Sequence, residues 1–193
     1  MNFLKGVSVY LSGPIEACQD KGETWRQRLT PQLEKLGLEV WDPLVKPSWV
    51  PPADGSTQIS WKQLLFEHGR DGKSLYYIDN ITMKNSSLRS TCLSLANNCN
   101  IMIVKIVKET FTVGTWEEVV IGQRRGTPMF FLCSDPIPSM WLLDMMKAYN
   151  TFKEVFFQTE ESLLHHLELI NNKSIKVDNI TWIFKTYKET KNV

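Results

Sequence analysis

Short apolar runs, separated by amphipathic stretches, set the strongest constraint on what this chain can fold into. The runs are Val7 to Leu11, Leu38 to Trp41, Ile101 to Val107, Thr127 to Cys133 and Val155 to Phe157. Between them apolar residues recur at helical spacing. Trp25, Leu29, Leu33 and Leu36 form one such stripe, and Leu88, Cys92, Leu95 and Cys99 form another. Ile59 to His68, Thr115 to Arg125, Trp141 to Tyr149 and Glu160 to Ile170 also read as helices. A continuously apolar run is a strand buried on both faces, and parallel strands need helical crossovers between them. The pattern predicts an α/β domain: an open, mostly parallel five-stranded sheet with helices on both faces.

Local punctuation agrees. Ser12-Gly13-Pro14 stops the first run, Gly37 ends the first helix, and Asp42-Pro43 closes the second run. Pro31 lies inside the first helix, which predicts a bend or a limit on its first turns. The stretch 44–57 is rich in Pro, Ser and Gly and reads as a surface loop. Ile175, Val177, Ile180, Trp182 and Phe184 alternate around Asp178-Asn179, the pattern of a terminal β-hairpin. The expected organisation is one domain over residues 1–173, with a variable insert at 44–85 over the pocket, and a hairpin appendage at 174–193.

Composition narrows the function by exclusion. The 193 residues are 42% hydrophobic and 22% charged, an ordinary balance for a domain with a real core. A net charge of +1 gives no electrostatic basis for long nucleic acid or an anionic membrane as partner. No apolar stretch approaches the ~20 residues of a membrane span. The cysteines at 18, 92, 99 and 133 form no CxxC pair, and no His stands at zinc spacing. No metal or cofactor is therefore expected. The opening Met-Asn-Phe-Leu-Lys carries no signal-peptide pattern, so the expected compartment is the reducing cytoplasm.

In an open parallel sheet, ligands bind beyond the carboxyl ends of the strands, where strand order reverses. Three segments are expected there: Leu11 to Glu16, Trp41 to Pro43, and Thr112 to Glu118. The third is the most informative. Gly114 permits close backbone approach, and Thr115 reads as the N-cap of a helix whose free amides favour an oxygen-rich or anionic ligand. Glu117 and Glu118 then fall in the first turn, with side chains about 100° apart, so only one faces the crevice. Acidic first turns also arise simply to complement the helix dipole, and both readings stand at this point.

The order of motifs adds a resemblance. Val9-Tyr10-Leu11-Ser12-Gly13-Pro14-Ile15, then Trp25-Arg26, Leu33, Gly37, Val40 and Asp42-Pro43, then Gly114-Thr115-Trp116-Glu117-Glu118, Gly126-Thr127-Pro128, and finally Phe152 to Leu167 run in sequence. This order resembles the nucleoside 2-deoxyribosyltransferase superfamily, which includes the nucleoside 5′-monophosphate N-glycosidases. The likeness spans roughly residues 7–170, with 44–85 unmatched. It implies a flavodoxin- or Rossmann-like arrangement and cleavage or transfer at the N-glycosidic bond of a (deoxy)nucleoside or its 5′-monophosphate. It implies that Glu118 is the nucleophile, attacking the anomeric carbon to form a glycosyl-enzyme ester. Tyr10, Ser12, Gly13, Pro14, Asp42, Thr112, Gly114 and Thr115 are implied to surround the substrate. The resemblance also implies a homodimer or larger homo-oligomer whose partner is a small nucleoside or nucleotide.

Two departures bear on mechanism. Cys92 and Asn100 stand where the family pattern implies carboxylates, the first of which serves proton transfer to or from the base. A thiol is a poor replacement, and Cys92 also reads as a small apolar residue on its helix stripe. Asp79 and Asp71, in the unmatched insert, are candidate replacement acids. Thr112 stands where transferases of free nucleosides tend to carry an aspartate, and a hydroxyl there does not repel a phosphate. A catalytically impaired nucleotide-binding protein of the same fold is the alternative that these departures raise.

Overall fold

The computed structural model describes residues 2–15, 18–20, 22–45, 89–108, 110, 112–135, 139–141 and 155–172. Its strands are β1 (Ser8–Ser12), β2 (Glu39–Trp41), β3 (Ile101–Lys105), β4 (Met129–Leu132) and β5 (Phe156–Phe157). Its helices are α1 (Glu23–Lys35), α2 (89–98), α3 (Val113–Arg125) and α4 (Glu160–Asn171). The predicted helix at 59–68, the insert with Asp71 and Asp79, most of the helix predicted at 141–149, and the terminal hairpin lie outside the described residues.

The five strands form one parallel sheet in the order β2-β1-β3-β4-β5. Strands β1, β3 and β4 are buried almost throughout, as continuous apolar runs require. Alternation within each strand divides the core in two. Val9, Leu11, Ile101, Ile103, Phe130 and Leu132 face α1 and α4, where Leu29, Leu33, Leu163 and Leu167 are fully buried. Tyr10, Met102, Val104 and Phe131 face the opposite side, with Ala96, Cys99 and Val119. Each fully buried Leu contributes about 1.5–3 kcal/mol relative to exposure.

Two sequence expectations change. Helix α1 runs through Pro31, with eight helical residues before it, so its first turns are not limited. Pro31 sits on the solvent side, between the buried Leu29 and Leu33. Their burial offsets the missing backbone donor. Helix α3 begins at Val113, so its N-cap is Thr112 rather than Thr115. Thr115 is instead buried on the helix face that meets the sheet. Glu117 and Glu118 consequently lie in the second turn, and the dipole explanation for this acidic pair loses its basis, since the dipole effect fades beyond the first turn.

The sheet order fixes where ligands bind. The chain goes from β1 to β2 at one edge, then returns to place β3 on the other side of β1. The loops after β1 and β3 therefore diverge at a topological switch point, where an open α/β sheet leaves a crevice.

Candidate active site

Helix α3 presents Thr115, Glu118, Val119 and Gly122 to the sheet, a spacing of one helical face. Gly122 sets how closely the helix approaches. A Cβ built there would lie 2.6 Å from Met102 Sδ. The glycine lets α3 settle against β3, and that position carries Glu118 to the end of β1.

Glu118 is 8% exposed and meets two donors from alternate residues of one strand. The Tyr10 hydroxyl donates to Glu118 Oε1 at 2.8 Å. The Ser12 hydroxyl donates to Glu118 Oε2 at 2.5 Å. Because residues i and i+2 of a strand share a face, one strand supplies both oxygens with a partner. Glu117 points elsewhere and forms a two-pronged ion pair with Arg89 of α2. The adjacent carboxylates thus separate into one buried in the crevice and one at the surface.

Burial pushes the Glu118 carboxyl above its ordinary range, while the hydrogen bonds from Ser12 and Tyr10 and the Arg26 charge pull in the other direction. Tyr10 is raised well above its usual value, first by burial and then by the neighbouring Glu118 charge. It therefore stays a neutral donor. Cys92, on α2, also interacts with the Tyr10 side chain. The apolar-stripe reading of Cys92 is incomplete, since its thiol acts on the same Tyr10 side chain that donates to Glu118.

Asn100 has a different position. Its side-chain oxygen accepts from the Ser8 backbone N–H at 2.9 Å and from the Ser8 hydroxyl at 2.8 Å. Its own N–H donates to the Ser8 hydroxyl at 3.0 Å. These bonds latch the amino-terminal ends of β1 and β3, at the end of the sheet opposite Ser12. Asn100 is a structural tie there.

The loop after β1 is held by a residue that the sequence shows only as part of a motif. Arg26, from α1, is fully buried. It donates to the carbonyls of Leu11, Gly13 and Gly22, and its Nε lies 3.5 Å from Asp42 Oδ1. Asp42 also accepts from the Leu44 N–H at 2.8 Å. Burial raises the Asp42 carboxyl, against the pull of the Leu44 N–H and the Arg26 charge. Gly22 is the N-cap of α1 with φ +70°, and a Cβ there would meet Pro14 O at 2.3 Å and Arg26 Nη1 at 2.6 Å. Only glycine fits between this loop and the guanidinium. A buried arginine has no sequence signature apart from its place on the apolar stripe, one residue after Trp25.

The remaining expected residues gather around the same strand ends. Gly13 and Pro14 are buried in the loop after β1. Thr112 caps α3 without using its side chain on a helix amide. A Cβ at Gly114 would meet nothing within 4 Å, so space is open beside it. A separate cleft of about 400 Å³ lies on the other side of the sheet, at the ends of β3 and β4, lined by Arg28, Lys105, Ser134 and Thr159 among others. Arg28 and Lys105 are both engaged there with Glu160, at 2.7 and 3.7 Å. Among the described residues, no group of three His, Cys, Asp or Glu side chains is arranged to hold a metal, and no helix is long and apolar enough to cross a membrane.

Comparison with known proteins places this arrangement in a structural class. No protein-family model matches the chain, and no curated protein matches it. Solved structures resemble it. One is a 2-deoxyribosyltransferase from Bacillus psychrosaccharolyticus, with a TM-score of 0.52 and 14% identity over 82% of this chain and 90% of that one. A conserved protein from Enterococcus faecalis V583 has a TM-score of 0.51 and 11% identity, over 86% and 99% of the two chains. A CMP N-glycosidase from Clostridium botulinum has a TM-score of 0.48 and 15% identity, over 84% and 98%. The chain has the open α/β fold seen in the 2-deoxyribosyltransferase.

Proposed function

We propose that the protein cleaves or transfers the N-glycosidic bond of a nucleoside 5′-monophosphate, with Glu118 as nucleophile. The observation that carries this reading is the buried Glu118 carboxylate at the switch point, held on both oxygens by Tyr10 and Ser12. The shared fold with a 2-deoxyribosyltransferase supports it.

The chemistry follows from the geometry. Two donors from one strand fix the carboxylate in a single orientation, which lowers the entropic cost of attack. Burial keeps the oxygens basic and poorly hydrated. One oxygen attacks the anomeric carbon, the bond to the base breaks, and the base takes its electron pair. The resulting ester carries no charge, so the hydrogen bonds weaken at this stage. They strengthen again as water or a second base displaces the carboxylate and gives up a proton that balances the one taken up by the departed base, which makes Glu118 a good leaving group. Thr112 and Gly114 stand beside the start of α3, where a 5′-phosphate gains from backbone amides.

The test is release of free base from a panel of deoxynucleoside monophosphates and nucleosides, with intact-mass detection of a glycosyl adduct. Full activity in Glu118→Ala sinks the assignment. A nucleotide-binding protein without turnover is the second reading, favoured by the Cys92 thiol beside Tyr10 where the family pattern implies a carboxylate. Its signature is nucleotide-dependent thermal stabilisation with no base released.

A further inference from the structure

Ser12 donates the shortest hydrogen bond to Glu118, and what holds Ser12 in place is not on its own strand. The Arg26 guanidinium reaches over from α1 and grips the carbonyls on both sides of it. Nη2 donates to Leu11 O at 3.3 Å and to Gly13 O at 3.1 Å. Nη1 donates to Gly22 O at 2.8 Å, and Asp42 supplies the counter-charge from the end of β2. Four segments therefore converge on one fully buried cation: the end of β1, its loop, the start of α1 and the end of β2.

A buried guanidinium is costly unless each donor is matched, and breaking such a set leaves uncompensated charge. Packing alone needs no cation at this position. An apolar side chain after Trp25 would extend the core of α1. The fork geometry of arginine instead matches two carbonyls spaced by one residue, which a lysine ammonium cannot reproduce.

Building on the proposed reaction, we infer that Arg26 is a positioning residue for Glu118. It fixes the Leu11–Gly13 backbone so that the Ser12 hydroxyl stays on Oε2, and it supplies the positive charge that favours the ionised nucleophile. Among the described residues, the other charged or titratable groups acting on Glu118 or sharing its partners are Tyr10 on β1, Glu117 on α3, Cys92 on α2, Cys99 before β3, Asp42 and Cys18 beside Arg26, and Arg125 beside Cys99. Among the described residues Arg26 is the cation that acts on Glu118 itself, so its removal has a definite sign: the ionisation of Glu118 moves to higher pH.

The experiment compares the full-length wild type with Arg26→Met and Arg26→Lys. Two readouts are followed: the pH dependence of base release, and the ¹³C titration of the Glu118 carboxyl, assigned with Glu118→Gln. For Arg26→Met the rising limb and the titration both shift upward. Arg26→Lys keeps the charge and loses the two-sided grip. Its limb stays near that of the wild type, while kcat falls about tenfold and KM changes less than about twofold. A merely structural role lowers the yield of folded protein but moves neither the midpoint nor the balance of kcat and KM. Folded Arg26→Met with a wild-type titration overturns the inference. If Arg26→Met does not fold, wild-type kcat in Arg26→Lys overturns it. If the wild type releases no base, the proposed reaction fails, and the carboxyl titration still decides the influence of Arg26.

Discussion

The Tyr10 hydroxyl and the Glu118 carboxylate are separated by 108 residues in sequence and by 2.8 Å in space. Neither is a surface group that found a partner by chance. Tyr10 is fully buried, and Glu118 nearly so. A tyrosine inside a strand that is otherwise packed core needs a polar partner for its hydroxyl. Here the partner is a carboxylate that itself requires donors.

Removing that donor separates positioning from bulk packing. Tyr10→Phe keeps the ring and deletes one hydrogen bond to a buried anion. The expected loss is about tenfold to a hundredfold in kcat, from the step in which the carboxylate departs and the bond re-forms, in keeping with about 1.5–3 kcal/mol for a hydrogen bond to a charged group. The rising limb of the pH profile shifts upward, because a bond to the ionised form is gone. An unshifted limb in Tyr10→Phe would show that this contact does not control the nucleophile.

Glu118 holds its proton more tightly in the folded chain than in the unfolded one, because burial raises it. Its contribution to stability is therefore fully present below the ordinary glutamate range and is lost as pH rises through the elevated folded value. At neutral pH the buried carboxylate opposes folding. Glu118→Gln should abolish base release and stabilise the fold by about 0.5–2 kcal/mol at neutral pH, as active-site charges commonly trade stability for activity. Denaturant melts from pH 4 to pH 8 should show the gap closing as pH falls. A variant less stable than wild type at neutral pH contradicts this account.

The Ser8–Asn100 latch has the opposite signature. Asn100→Ala leaves the Ser8 N–H and hydroxyl without their side-chain partner. A cost of about 1–3 kcal/mol in stability is expected for the unsatisfied groups. Turnover per folded molecule should be unchanged, because the latch sits at the far end of β1 from Ser12. A fall in kcat without loss of stability would give Asn100 a part in the reaction instead.

The sheet was legible in the sequence because both-face burial leaves continuous apolar runs, and all five matched their strands to within a residue or two at each end. That Glu118 rather than Glu117 faces the crevice was legible from its distance to Gly114 within an ordered set of motifs. The start of α3 was misplaced because Thr112 caps through its backbone alone, whereas Thr115 offered a more familiar signal. The Arg26 clamp was not legible. Its partners are three carbonyls and Asp42, and carbonyls carry no residue identity. Asn100 was read against a catalytic pattern because its true partner, Ser8, lies 92 residues away.

Cys92 offers a test of how many acids this crevice tolerates. Its thiol interacts with Tyr10, whose single O–H already serves Glu118. Cys92→Asp places a second carboxylate against the same donor. Two nearby carboxylates resist joint ionisation, so the Glu118 titration should move upward and become two-step. The ¹³C titration reports this directly. An unchanged midpoint would mean that residue 92 turns away from the pair when it carries a charge.

The proposed phosphate preference rests on Thr112 and is the most direct discriminator of substrate class. Thr112 stands at the N-cap of α3, and its side chain is not used to cap the helix. Thr112→Asp should satisfy the helix start at least as well, since aspartate is a good N-cap residue, so stability should hold or rise slightly. It also places a negative charge where the proposed 5′-phosphate sits. For a monophosphate substrate kcat/KM should fall by about tenfold or more, while the corresponding nucleoside is unaffected or improves, because only the dianion is repelled. Equal losses on both substrates would move the phosphate away from the start of α3, and equal retention on both would remove Thr112 from the pocket altogether.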